Sequence, residues 1–387
     1  MKRILLASVA LGAVSGTVHA QSSMTLYGIV DNGLNYVSNA GGSHQFALTS
    51  TAGVPLGSRW GLKGNEALGN GLSAIFQLEN GFDTDTGKLG QSGLLFGRLA
   101  IVGLSGQFGT VTAGRQYASM VDFVGNSMVA AGQWAGSFGA HAGDVDNLYD
   151  TFRVNNVLKY TSVDYGGFKF GGMFSFGGQA GNFNRNSGFG IGGGYTRGPL
   201  KLGIAYSDMQ DPYSSAYNNG ANPPAAQASP IYSGFVSARS LQVFVVGGQY
   251  QLGATTLGMN YSNTRFKDLG ADPGNLGATP GLSGTAAFNN VEASASYQLT
   301  PAVSVHAAYN YTARGSVGGD SGATYNQAAL GADYTLSKRT ILYLIGAYQH
   351  ASGHNSNGGT AVAALDLASP SKTDHQGAVR IGMRHTF

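Results

Sequence analysis

Segments of eight to ten residues, apolar at every second position, recur along this chain and limit what it can fold into. In LKLGIAYSD, Leu200, Leu202, Ile204 and Tyr206 alternate with Lys201, Gly203, Ala205 and Ser207. VEASASYQL and VSVHAAYNYT repeat the pattern from Val291 to Leu299 and from Val303 to Thr312. A period of two marks a strand with two unlike faces. Its length suits a tilted crossing of a bilayer, which takes about 9–11 residues. The chain even ends this way: in VRIGMRHTF, Val379, Ile381, Met383, His385 and Phe387 oppose Arg380, Gly382, Arg384 and Thr386. Chain ends usually fray, so a two-faced terminal strand needs a partner. The expected partner is the first strand, MTLYGIVDNGLNY, which closes the sheet and removes its edges.

Composition narrows the choice. Length alone suits two or three soluble domains, but 62 glycines and only 11% charged residues do not. No G-X-Y period accompanies the glycine, proline is scarce at 10, and 19 Phe with 20 Tyr are too many for a disordered chain. No apolar run follows the N-terminus that is long enough for a membrane helix, which leaves a membrane β-barrel. There, glycine lets strands bend and pack in a curved sheet. A large soluble β-sandwich or solenoid shares the alternation but leaves unexplained an exported chain with no cysteine.

Export is read from MKRILLASVALGAVSGTVHA: Lys2 and Arg3, an apolar run from Ile4 to about Val14, and small residues ending at Ala20. This is the layout of a cleaved signal peptide over 1–20, with one barrel domain over 21–387. Losing Lys2 and Arg3 leaves 20 basic against 19 acidic residues. Such a balance argues against nucleic acid as a partner.

The periodicity predicts sixteen strands, from 24–36 to 375–387. Short connections (NEALGNG, SGQF, RGP, LTPA, LSK) alternate with long ones at 37–57, 118–151, 209–239, 267–287 and 351–374. Short turns at one end and long loops at the other are the asymmetry of outer-membrane barrels, and sixteen strands enclose an aqueous channel. Parity then assigns charges to the lumen. Trp60 and Leu62 share the apolar face, so Arg59 and Lys63 point inward; Leu99 and Ile101 leave Arg98 inward. Phe152, Val154, Leu158 and Tyr160 leave Arg153, Asn155 and Lys159 inward. A charge on the lipid face costs about 2–4 kcal/mol at the midplane, which favours this parity. Arg115 shares its face with Val111 and Ala113 and is expected to meet a neighbouring subunit instead.

In MTLYGIVDNGLNY, SRWGLKGNEALGNGLSAIFQLENGF, FGRLAIVGLSGQFGTVTAGRQY, FRVNNVLKYTS and the terminal GMRHTF, the chain resembles general diffusion porins of the Gram-negative outer membrane, nearest their β-proteobacterial branch. The resemblance implies a sixteen-stranded antiparallel barrel, all-β, assembled as a homotrimer. It has short periplasmic turns, long extracellular loops and a third loop, here 118–151, folded inward as a constriction. Lipid and lipopolysaccharide would surround it, and Phe387 would end the strand used in closure and by the barrel-assembly machinery. By the same resemblance Arg59, Arg98 and Arg153 match an arginine ladder on the channel wall. Asp122, Asp144, Asp146 and Asp150 of the loop are expected opposite it. A basic wall facing acids makes a transverse field, and the charge balance at the narrowest point sets ion preference. The chain departs from the enterobacterial pattern in NSMVAAGQWAGSFGAHAG, neutral from Asn126 to Gly143. It departs again at Ile29, where many relatives carry lysine, with Asp31 nearby. Fewer loop acids favour anions and Asp31 opposes them, so weak anion selectivity is expected for small hydrophilic solutes and ions.

Other motifs carry less. GFGIGG lies in a glycine-rich strand without the strand-to-helix context of a nucleotide site. DTDTG begins like a calcium loop, but Leu94 stands where glutamate is required. His350 and His354 sit on a Ser/Gly loop rather than a helix, so neither metal nor cofactor is expected. A substrate-specific channel would need an aromatic run that Tyr27 and Tyr117 are too scattered to make. A barrel enzyme would need a serine–histidine pair at the rim; His306 faces inward beside serines, but no nucleophile motif accompanies it.

Overall fold

The computed structural model describes residues 23–213, 229–271 and 279–387; the expected signal peptide lies outside them. Among the described residues, seventeen strands form one antiparallel sheet. They are β1 (Ser23–Ala40), β2 (Ser43–Thr49), β3 (Arg59–Gly69), β4 (Leu72–Gly81), β5 (Leu99–Gly106) and β6 (Gly109–Gln116). After the long loop L3 come β7 (Val154–Thr161), β8 (Phe168–Ser175), β9 (Gly188–Arg197), β10 (Leu200–Gln210) and β11 (Ser240–Leu252). The last six are β12 (Thr255–Lys267), β13 (Ala286–Thr300), β14 (Val303–Arg314), β15 (Ala323–Ser337), β16 (Thr340–Gly353) and β17 (His375–Thr386).

These fill sixteen wall positions, because β2 and β3 share one. β3 pairs with Ser23–Ile29 of β1 and β2 with Gly33–Ala40, while residues 50–58 leave the wall between them. The first long connection therefore contains a strand where a loop was expected. Its hairpin is set by Asn39, whose Oδ1 accepts from the Gly42 amide at 2.8 Å, with Gly41 and Gly42 at φ 66° and 105°. That left-handed pair needs glycine.

β17 pairs with β1 from Ile29↔Thr386 to Val37↔Ala378 and closes the barrel. Gly28 and Phe387 complete the seam by exchanging backbone bonds at 3.2 and 3.0 Å. A Cβ on Gly28 would collide with the Phe387 ring, so glycine makes room for the terminal aromatic.

Polarity is inverted relative to a soluble protein. Leu26, Leu34, Leu330, Ile381 and Met383 are exposed outside, while Asp31, Glu292, Gln349 and Arg380 are fully buried inside. An outer apolar belt over a polar interior is the pattern of a lipid-facing barrel. The apolar packing lies within the lumen, where L3 (118–151) folds back as short helical turns against the wall. Its Phe123 rests on Gly192 and Gly203; a Cβ on Gly203 would collide with the Phe123 carbonyl.

Replacing Phe387 by alanine should destabilise the barrel by about 1–2 kcal/mol, since the ring is only partly covered. The measurement is the midpoint of heat-modifiable mobility; an unchanged midpoint would contradict a seam that depends on this ring.

Candidate constriction site

Three arginines meet on one side of the lumen. Arg59 opens β3, Arg98 directly precedes β5 and Arg153 directly precedes β7. Glu79 of β4 sits between the first two. Arg98 Nε donates to Glu79 Oε1 at 2.8 Å, and Arg59 Nη1 lies 3.8 Å from the same oxygen. Tyr27 adds a hydroxyl bond to Glu79 Oε2 at 2.9 Å. Tyr117 ties the third arginine to this group: its hydroxyl accepts from Arg98 Nη2 at 3.0 Å, and the Arg153 guanidinium lies 5.4 Å from its ring centre. Arg153 Nη2 also pairs with Asp150 of L3 at 2.7 Å. All three arginines line a cavity of about 800 Å³, together with L3 residues including Tyr149, Asp150 and Thr151.

Other expected site residues are elsewhere. Lys63 is exposed nearer the turn end, over the Tyr27 ring, and outside the cavity. Asp122 at the start of L3 pairs with Lys159 at 2.6 Å beside a second cavity of about 640 Å³. Asp31 is on the inner wall but sealed, accepting from the Tyr343 hydroxyl at 2.5 Å and lying 3.5 Å from Arg380. It does not oppose the arginine wall as a free charge.

Asp144 and Asp146, expected to face the channel, are turned into the packing of L3. Asp144 accepts from the amides of Tyr149 and Thr151 at 3.0 and 3.1 Å, folding the end of the loop. Asp146 accepts from His141 Nδ1 at 2.6 Å and from Ser262 on β12. His141 Nε2 lies 3.7 Å from Glu292 on β13, and Glu292 accepts from the Ala130 amide at 2.8 Å. Further along, Asn310 and Gln327 donate to L3 carbonyls at 2.9 Å. These acids fasten the loop to the wall instead of lining the pore.

Sequence reading missed Glu79, although parity with Phe76 and Leu78 places it inward. Arg115 pairs with Ala100 on the face of Val102 and Leu104, as parity expects, and is held within its own chain, donating to the Gly97 carbonyl at 2.8 Å and to Asn155. The extra residue in the β6–β7 pairing lies on β7, where Asn156 has a φ of 55°.

The Gram-negative porin family matches residues 7–354. This chain is a Gram-negative porin. An outer membrane porin protein of Bordetella pertussis is 31% identical across 90% of this chain and 94% of its own length. Outer membrane porin protein 32 of Delftia acidovorans is 30% identical across the full length of both. Among solved structures, an anion-selective porin from Comamonas acidovorans superposes with a TM-score of 0.67 and 25% identity, covering 95% of this chain and all of that one. OmpT of Vibrio cholerae in a trimer form shares the fold at a TM-score of 0.63 and 16% identity, over 95% and 99% of the two chains. The porin is therefore an outer-membrane channel filled with water.

Loop electrostatics follow from burial. In the porin, burial raises Asp150 to about 6, even though Arg153, Arg98 and Arg59 stabilise its charge; Asp122 adds slightly to the rise. Burial alone would lower His141, but Asp146 and then Glu292 outweigh it and raise the imidazole to about 9. At neutral pH it stays an imidazolium paired with Asp146, holding L3 to the wall.

Asp150 loses its charge as pH falls through about 6, which leaves Arg153 uncompensated. Anion preference should rise by roughly two-fold between pH 7 and pH 5. Reversal potentials at both pH values provide the check; Asp150→Asn should remove most of the change, and an equal change in that variant would contradict the assignment.

Proposed function

We propose that the porin passes small hydrophilic solutes and ions by passive diffusion with a weak preference for anions. The observation that carries this is the gathering of Arg59, Arg98 and Arg153 on one side of a cavity bounded by L3. Glu79 and Asp150 offset much of that charge, which makes the preference weak. Likeness to the anion-selective porin from Comamonas acidovorans supports the sign. Asp31 adds little against it, being paired with Arg380.

The working unit in this reading is a homotrimer in lipid and lipopolysaccharide, exported by cleavage after Ala20 and inserted by the barrel-assembly machinery through the strand ending at Phe387. No cofactor enters the function. An enzymatic reading has one constellation to consider: His306 Nδ1 lies 2.8 Å from Ser296 Oγ, and its Nε2 lies 3.7 Å from Asp333. All three are on strands paired on both sides, so the nearby amides serve the sheet rather than an oxyanion hole. Trp134 of L3 stacks on the imidazole at 5.1 Å, which gives it a structural role.

Single-channel recording across a tenfold KCl gradient tests the reading. Conductance in groups of three with a modest anion-signed reversal potential is expected. A cation-signed potential would contradict the role given to the arginine wall.

A further inference from the structure

We propose that the cavity between the arginine wall and L3 binds small zwitterions that carry an apolar side chain, with α-amino acids such as leucine as the solute class. The proposal rests on the channel reading above and gives it a preferred solute.

Charge balance is the first argument. The guanidiniums of Arg59, Arg98 and Arg153 are matched in number by carboxylates: Asp83 and Asp150 line the cavity, and Glu79 stands behind two of the arginines. A site of this kind has no strong demand for one sign. It presents donors and acceptors together, which a solute bearing both charges can meet at once.

Unmet hydrogen-bonding capacity is the second. Four buried atoms on residues lining this cavity have no protein partner among the described residues: Arg153 Nε, Asp150 Oδ1, Thr151 Oγ1 and Gln91 Oε1. The Arg153 and Asp150 side chains are only 6% and 10% exposed, so ordinary surface solvation does not explain them. Buried polar groups normally find partners, and leaving one unmet costs about 1–3 kcal/mol. Arg153 Nε calls for an acceptor such as a carboxylate. Asp150 Oδ1 and Gln91 Oε1 call for a donor such as an ammonium group. A simple anion would answer the first and leave the other two unmet.

The third argument is the remaining surface. Leu56, Phe82, Leu89 and Leu367 contribute apolar lining to the same space, which suits an aliphatic group attached to the charged end. At about 800 Å³ the cavity lies within the range of small-molecule sites. Gln91 and Ser92 hold φ of 46° and 61°, and Asp150 holds 70°. Side chains rarely adopt that region, and such strain concentrates at ligand-holding positions.

The experiment uses the full-length porin in a planar bilayer and three matched probes: leucine, 4-methylpentanoate, which lacks the ammonium, and 3-methylbutylamine, which lacks the carboxylate. Leucine should interrupt the KCl current with a half-blocking concentration lower by about ten-fold than either analogue. Asp150→Asn should bring leucine close to 4-methylpentanoate. The inference is overturned if 4-methylpentanoate blocks as well as leucine. It is equally overturned if none of the three blocks, up to the solubility of leucine, in a channel that conducts KCl. Absence of KCl conductance would instead overturn the channel reading, so the two failures are distinct. The comparison of probes on the unaltered protein stands whether or not the variant folds.

Discussion

Closure of the sheet is the constraint on which the rest depends. In a bilayer, backbone groups have no water to turn to, so a sheet must pair both of its edges. Here β1 does this by meeting β17 on one side and the split pair β2–β3 on the other. Gly28 gives space to the Phe387 ring at that seam, and the two residues finish the ladder. With closure supplying the scaffold, the interior is free to be polar. Buried Gln, Asn, Asp, Glu and Arg can then be accommodated there.

That interior is divided by how L3 is held. One side of the loop is fixed to β12–β15 through His141, Asp146, Glu292, Asn310 and Gln327. Removing one member of such a buried charged group typically costs about 3–5 kcal/mol, because its partners are left unpaired. The loop's last turn pairs Asp150 with Arg153 and shares a cavity with Arg59 and Arg98. The same loop thus commits some acids to anchorage and Asp150 to the channel, a division that makes the channel nearly charge-balanced.

The strands were legible because lipid and water impose a two-residue period. The expected bounds of 188–197 and 303–314 agree with those of β9 and β14. β2 was not legible: seven residues after an Asn-Ala-Gly-Gly turn are too short a run to separate from a loop. Parity placed Arg59 inward correctly, but its premises for the other two arginines were wrong: Leu99 and Ile101 face inward opposite Glu79 and Gln77 while Val102 and Leu104 are exposed, and Phe152 and Val154 are buried. Arg98 and Arg153 reach Tyr117 because each precedes its strand, where the alternation does not hold. Parity placed Arg115 on the face of Val111 and Ala113, which the β5–β6 register keeps, but could not show that the side chain is tied to Gly97 and Asn155 of its own chain. It could not separate Asp150 from Asp144 and Asp146, since periodicity holds only along strands and says nothing of how a loop folds back. Arg380, on the inner face of the last strand, was legible by parity, but its pairing with Asp31 depends on closure between opposite ends of the chain.

The central claim is that solutes pass between L3 and the arginine wall, and not behind the loop. The chain contains no cysteine, so single substitutions give clean reporters. Thr51 lines the cavity, whereas Ser262 is fully buried beneath L3. The measurement is single-channel current during treatment of Thr51→Cys and Ser262→Cys with a charged methanethiosulfonate reagent. A stepwise fall at Thr51→Cys and no response at Ser262→Cys is the predicted result. A fall at Ser262→Cys with silence at Thr51→Cys would place the path behind the loop and contradict the account.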